Sequence, residues 1–132
     1  MKFSTLAMVQ HAERNGYAVP AVNVFDEHSL RGVVRAAERC SSPIIVQIST
    51  KTARSQGVRL ITEIFDRVAG PSAIPIALHL DHCPDREVID EVVAAGWSSL
   101  LFDASDLDLA TAEQQTREVV RKAHAAGVSL GT

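Results

Sequence analysis

The feature that most constrains this 132-residue chain is an alternation that runs from end to end. Short apolar runs of strand length follow longer runs with helical periodicity, and Gly, Pro or Ser punctuates nearly every change. Residues 4–15 read as an amphipathic helix. Ser4 can cap it, Leu6, Val9 and Ala12 share a face, and Asn15-Gly16 ends it. A strand is predicted over 19–25, where Pro20 is tolerable near the start. From Asp26 or Glu27 to Cys40 the pattern is helical, with Leu30, Val33, Val34 and Ala37 inward, until Ser41-Ser42-Pro43 breaks it. A second strand follows over 44–49, apolar enough to be buried on both faces. A helix over 57–69 leads to the turn set by Gly70-Pro71 and Pro75. The third strand begins the stretch 76–85, IALHLDHCPD, with His82 and Cys83 opening the loop after it. Asp85 can cap a helix over 85–95 that stops at Gly96. A fourth strand over 98–103, a helix over 110–126 and the start of a fifth strand over 128–130 complete the chain.

Strand and helix in strict alternation imply an α/β fold of parallel strands joined by right-handed crossovers. A doubly wound open sheet and a parallel (βα)8 TIM-barrel type both satisfy it. No G-x-G-x-x-G follows the first strand, so a dinucleotide fold has no support. A barrel needs roughly 250 residues. This chain supplies about the first half of one, four to five strands, in a single domain spanning 1–132.

Bulk properties exclude several classes of partner. Thirteen basic and sixteen acidic residues leave a net charge of −3 with no basic run, which argues against nucleic acid. The N-terminus has no long apolar core, and no apolar run is long enough to span a bilayer, so neither a signal peptide nor a membrane segment is expected. Cys40 and Cys83 have no C-x-x-C spacing, and reduced thiols in a cytoplasmic protein are expected.

Chemistry gathers at the third strand. By period two, Ile76, Leu78 and Leu80 share one face, while Ala77, His79 and Asp81 share the other. Burying two ionisable groups is costly unless they are paired or bound to a metal. A hydrogen-bonded pair that merely caps a strand is the plain alternative. The same pleat places Asn23, then Gln47 and Ser49, then Asp103, on the equivalent face of the other three strands. Polar groups therefore collect at the C-terminal strand ends, where barrel enzymes keep their active sites. An aspartate beside an imidazole suits metal-assisted proton transfer. Zinc wants three protein ligands, and His82 supplies one. His11, His28 and His124 fall on helices and read as surface groups, and Cys83 reads as a small buried filler.

The segments AVNVF, PIIVQIS, IALHLDHC and GWSSLLFDASDLDLATAEQQTREVVRKAHAAGVSL resemble, in that order, the N-terminal half of the class II, zinc-dependent fructose- and tagatose-bisphosphate aldolases. The resemblance covers essentially the whole chain. It implies that Asp81 is the proton-transfer aspartate and His82 the first zinc ligand. Asp103 then matches a carboxylate that holds a second mono- or divalent cation, and Asn23 and Ser49 match positions lining the substrate pocket. The family chemistry is reversible cleavage of a ketose 1,6-bisphosphate to dihydroxyacetone phosphate and glyceraldehyde 3-phosphate. Zinc polarises the ketose carbonyl while the aspartate exchanges a proton with the C4 hydroxyl. Asp26, Lys51-Thr52-Ala53-Arg54 and Ala104 depart from the common family pattern, which bears on substrate choice. The remaining zinc histidines and the phosphate loops of that family belong to the other half of its barrel. Two other readings fit the same residues: a non-catalytic half-barrel that binds or assembles, and another metal-dependent lyase of a phosphorylated sugar. Exposed strand edges point to a partner, by self-association into a homo-oligomer or by pairing with a separate C-terminal half.

Overall fold

In the computed structural model, which describes residues 2–131, five strands form one sheet in the order β1-β2-β3-β4-β5, and every neighbouring pair is parallel. The elements are α1 (Thr5–Asn15), β1 (Ala21–Asn23), α2 (Glu27–Cys40), β2 (Ile44–Ser49), α3 (Thr50–Gln56), α4 (Val58–Ala69), β3 (Ile76–Cys83), α5 (Arg86–Ala94), β4 (Ser99–Phe102), α6 (Leu109–Ala125) and β5 (Ser129–Leu130). The order never reverses. A doubly wound sheet reverses at a switch point, so the progression is that of a barrel.

The helices begin where the sequence offers side-chain acceptors. Ser4, Asp26, Asp85 and Asp108 each accept a backbone N–H from the first turn of the helix that follows. Asp26 and Ser29 form a reciprocal capping box on α2. The main core lies between the sheet and helices α2, α4, α5 and α6. Val46, Leu78, Leu80 and Leu100 are fully buried there against Phe65, Ile89, Val92, Trp97 and Val119. Each such side chain contributes roughly 1.5–3 kcal/mol by leaving water. Trp97 keeps its polar atom satisfied, since Nε1 donates to Thr62 Oγ1 at 2.8 Å.

Alternate positions of the strands face the other way and are less covered, apart from the buried Ala77 and Ser99: β2 alternates buried and half-buried along its whole length. Helix α1 crosses this second face near its N-terminal end. Phe3 N donates to Ile76 O at 3.0 Å, and Thr5 Oγ1 lies 2.8 Å from Ser99 Oγ.

Three differences from the sequence expectation exceed one residue at an element's end. Strand β1 is limited to Ala21–Asn23 rather than 19–25; at its start, Pro20 carries no N–H for a ladder. Residues 50–56 form the helix α3, which has a single buried residue, Ala53, and hence no apolar stripe to announce it. Strand β3 runs to Cys83, so His82 and Cys83 remain in the ladder instead of opening a loop. No helix among the described residues is long and apolar enough to cross a membrane.

Candidate active site

The parallel register lines polar groups up in rows on the partly covered face. Asn23 pairs with Gln47, Gln47 with His79, His79 with Ser99, and Ser99 with Ser129. One row nearer the C-terminal ends, Ser49 pairs with Asp81. Neighbours in register point to the same side of a sheet, so these side chains share the second face.

Beyond Asp81 the ladder shifts. Leu80 pairs with Leu100, but the next pair is Cys83 with Phe102, so β3 uses three steps where β4 uses two. Strict alternation would have turned His82 towards the helices and Cys83 towards Asp81. The extra residue reverses both placements. Cys83 is fully buried on the helix side, and His82 is exposed, with its backbone at φ 42°. A bulge of this kind re-aims a side chain at the rim of a sheet, and the left-handed backbone of a non-glycine residue costs about 1–3 kcal/mol unless its surroundings hold it. The HLDH segment thus delivers two adjacent residues, Asp81 and His82, clear of the main core.

The ring of His82 faces the next strand end. Its Nδ1 lies 3.4 Å from Asp103 Oδ2. Hydrogen bonds from Ser105, and secondarily the neighbouring His82, hold the Asp103 carboxyl below its ordinary range, so it is ionised. The carboxylate of Asp81, half-buried, has no hydrogen-bond or ion-pair partner among the described residues. His79 lies a row deeper. Its Nδ1 is 2.8 Å from Ser99 Oγ, which in turn meets Thr5. Burial pushes the His79 pKa down, partly opposed by the negative charge of Asp81. Burial likewise pushes the Cys83 thiol up, and Sγ donates to Asp85 O at 3.4 Å, which makes it a poor thiolate ligand.

Of the five residues expected at the site, Ser49, Asp81, His82 and Asp103 stand at the C-terminal ends of β2, β3 and β4. Asn23 lies in the lower row, with His79, and its Oδ1 accepts from Gln47 Nε2 at 3.4 Å. Ser49 also has a local duty: its hydroxyl caps α3 through Thr52 N. His11, His28 and His124 are exposed on helices, as expected, and His11 meets the Tyr17 hydroxyl at 2.7 Å. Sequence reasoning missed Ser99 and Thr5. Ser99 shares parity with Asp103 on β4 and was readable; Thr5 enters from a helix that crosses the sheet, which no strand pattern encodes.

No group of three His, Cys, Asp or Glu among the described residues comes together to hold a metal ion. The donor set fits one side of such a centre. His82 offers an exposed imidazole whose Nδ1 is oriented by a carboxylate, the arrangement that commonly fixes a metal-binding ring. It does not fit a complete tetrahedral zinc site, which needs three protein ligands.

Comparison with known proteins agrees with this geometry. The family model for class II fructose-bisphosphate aldolase matches residues 3–131. A fructose-bisphosphate aldolase of Thermus caldophilus is 32% identical over 130 residues, covering 98% of this chain and 42% of that protein. A sulfofructosephosphate aldolase of Alkalicoccus urumqiensis is 29% identical over 121 residues, covering 92% of this chain and again 42% of the relative. Among solved structures, the YdjI aldolase of Escherichia coli K12 superposes with a TM-score of 0.88 at 27% identity, over 98% of this chain and 50% of that one. The chain therefore spans about two fifths of the curated relatives' length, and its five strands correspond to about half of an aldolase TIM barrel. A match over nearly the full chain, on the fold these strands build and with the HLDH bulge at its C-terminal rim, places the chain in the class II fructose-bisphosphate aldolase family.

Proposed function

We propose that this chain provides the proton-transfer aspartate and the first metal ligand of a zinc-dependent ketose-bisphosphate aldolase. The observation that carries the reading is the β3 bulge, which sets Asp81 and His82 side by side at the strand end and leaves the Asp81 carboxylate unpartnered. Asp81 is free to exchange a proton with the substrate's C4 hydroxyl. His82, oriented by Asp103, is the zinc ligand, and the ionised Asp103 also suits a second cation. Bound zinc would supply a Lewis acid for the ketose carbonyl. Ser49 and Asn23 line the phosphorylated substrate's approach on the same face. The substrate class is a ketose 1,6-bisphosphate, fructose or tagatose, cleaved to dihydroxyacetone phosphate and glyceraldehyde 3-phosphate. A setting in the cytoplasm and a homo-oligomeric assembly accord with the free thiols and the open sheet edges.

Because His82 is one ligand of the three required, the 132-residue chain by itself is expected to be inactive. The test is a graft. This chain replaces the matched segment of the Thermus caldophilus relative, and the chimera is assayed on fructose and tagatose bisphosphates and on sulfofructose phosphate, with zinc and with chelator. Zinc-dependent cleavage is expected, and Asp81→Asn should lower kcat by about 10²–10⁴-fold. A folded chimera that cleaves none of the three sugars overturns the reading. Full activity in the Asp81→Asn variant removes the aspartate from its role.

A further inference from the structure

The short helix α3 reaches over the end of β3. Thr50 Oγ1 donates to the backbone carbonyl of His82 at 3.1 Å. Four residues on, Arg54 meets Asp85 Oδ2 through Nε at 2.8 Å and Nη2 at 2.6 Å. Asp85 is the cap of α5, and its backbone carbonyl accepts from the Cys83 thiol. The segment 82–85 is therefore tied to α3 at both ends, and α3 is itself anchored by the Ser49 cap that continues β2.

This arrangement answers a local physical question. His82 and Ser41 are the only non-glycine residues at positive φ among the described residues, and Ser41 ends a helix, where such a conformation is common. His82 has no such excuse. Its conformation follows the bulge between Leu80 and Cys83, where His82 has no partner residue on β4. A carbonyl that swings freely lets the ring swing with it. The Thr50 hydroxyl holds the His82 carbonyl, while Asp103 Oδ2 lies 3.4 Å from the ring Nδ1.

We infer that Thr50 is a positioning residue: its hydroxyl locks the His82 backbone in the left-handed conformation that aims the imidazole away from the core and into the site. The inference rests on the reading of His82 as a metal ligand only for its purpose; the clasp itself is a statement about conformation. Outer partners of a metal-binding histidine typically change metal affinity by about 10–100-fold when removed.

The experiment is heteronuclear NMR on the 132-residue chain, as wild type, Thr50→Ser, Thr50→Val and Thr50→Ala. The Cα and Cβ shifts of His82 report its backbone region, and Co²⁺ added alone reports contact with the imidazole by broadening the ring signals. The left-handed shift signature should be present in the wild type, retained in Thr50→Ser and lost in Thr50→Val and Thr50→Ala. The Co²⁺ concentration that half-broadens His82 should rise about tenfold in the same two variants. A His82 shift pattern unchanged in Thr50→Val, or in Thr50→Ala if the valine variant does not fold, overturns the inference. Co²⁺ that leaves wild-type His82 unbroadened sinks the ligand assignment, and the shifts still decide the clasp.

Discussion

His79 lies one row below the strand-end residues rather than among them. Its ring is half-buried, bonded through Nδ1 to Ser99, and faced by Asp81 from the next row and by His82 beyond it. Burial lowers its pKa from the ordinary 6.5, so the folded chain resists a proton that the unfolded chain accepts. Between those two pKa values the unfolded state binds more protons, and stability rises with pH. The contribution is complete above about pH 6.5 and is lost as the pH falls through the window below it. His79→Asn keeps a donor or acceptor for Ser99 but removes the titration. The urea midpoint of the wild type should therefore fall more steeply than that of the variant between about pH 7.5 and 5.5. Parallel falls in the two proteins would show that His79 is not the group responsible. At this scale the HLDH letters alone mark an odd strand, with ionisable groups at alternate positions. They did not reveal which way His82 and Cys83 face, because a bulge costs one backbone step and leaves no residue-type signature.

At the scale of elements, the helix caps were the most readable features. Asp85 illustrates why. Its Oδ1 accepts from Glu87 N at 2.9 Å and Val88 N at 3.4 Å, while Oδ2 takes Arg54. Cap and ion pair share one carboxylate and can be separated by substitution. Asp85→Asn preserves the cap and weakens the pair, which involves a largely exposed Arg54 and so is worth about 0–1 kcal/mol. Asp85→Ala removes both and should cost about 1 kcal/mol more through the lost cap. Denaturant unfolding of the two variants measures the difference, and equal destabilisation would assign the whole effect to the ion pair. Helix α3 was the element the sequence hid. TKTARSQ is polar apart from Ala53, so periodicity had nothing to register, although Ser49 three residues before Thr52 is a capping spacing that could have raised it.

At the scale of the molecule, the sheet has two edges, β1 and β5, which do not pair with each other. Both are short, and β3 sits between two neighbours at the centre. Opening free energy tracks burial and pairing. Amide exchange should be slowest at Leu78 and Leu80, intermediate in β2 and β4, and fastest in β1 and β5. Uniform protection across all five strands in solution would mean that both edges are covered by another chain, as a homo-oligomer would cover them.

The sequence by itself determined the alternation of strand and helix, and with it the parallel α/β class, the strand registers of β2 and the caps of α2 and α5. These follow from local rules: period two, period 3.6, and side-chain acceptors before free N–H groups. The tertiary structure alone decided that the strand order never reverses, that α1 crosses the second face to meet Ser99, and that β3 bulges after Leu80. Each depends on pairing between segments far apart in the chain. The bulge is settled where Cys83 finds the fully buried place opposite Phe102, and it is that distant packing which turns His82 out beside Asp81.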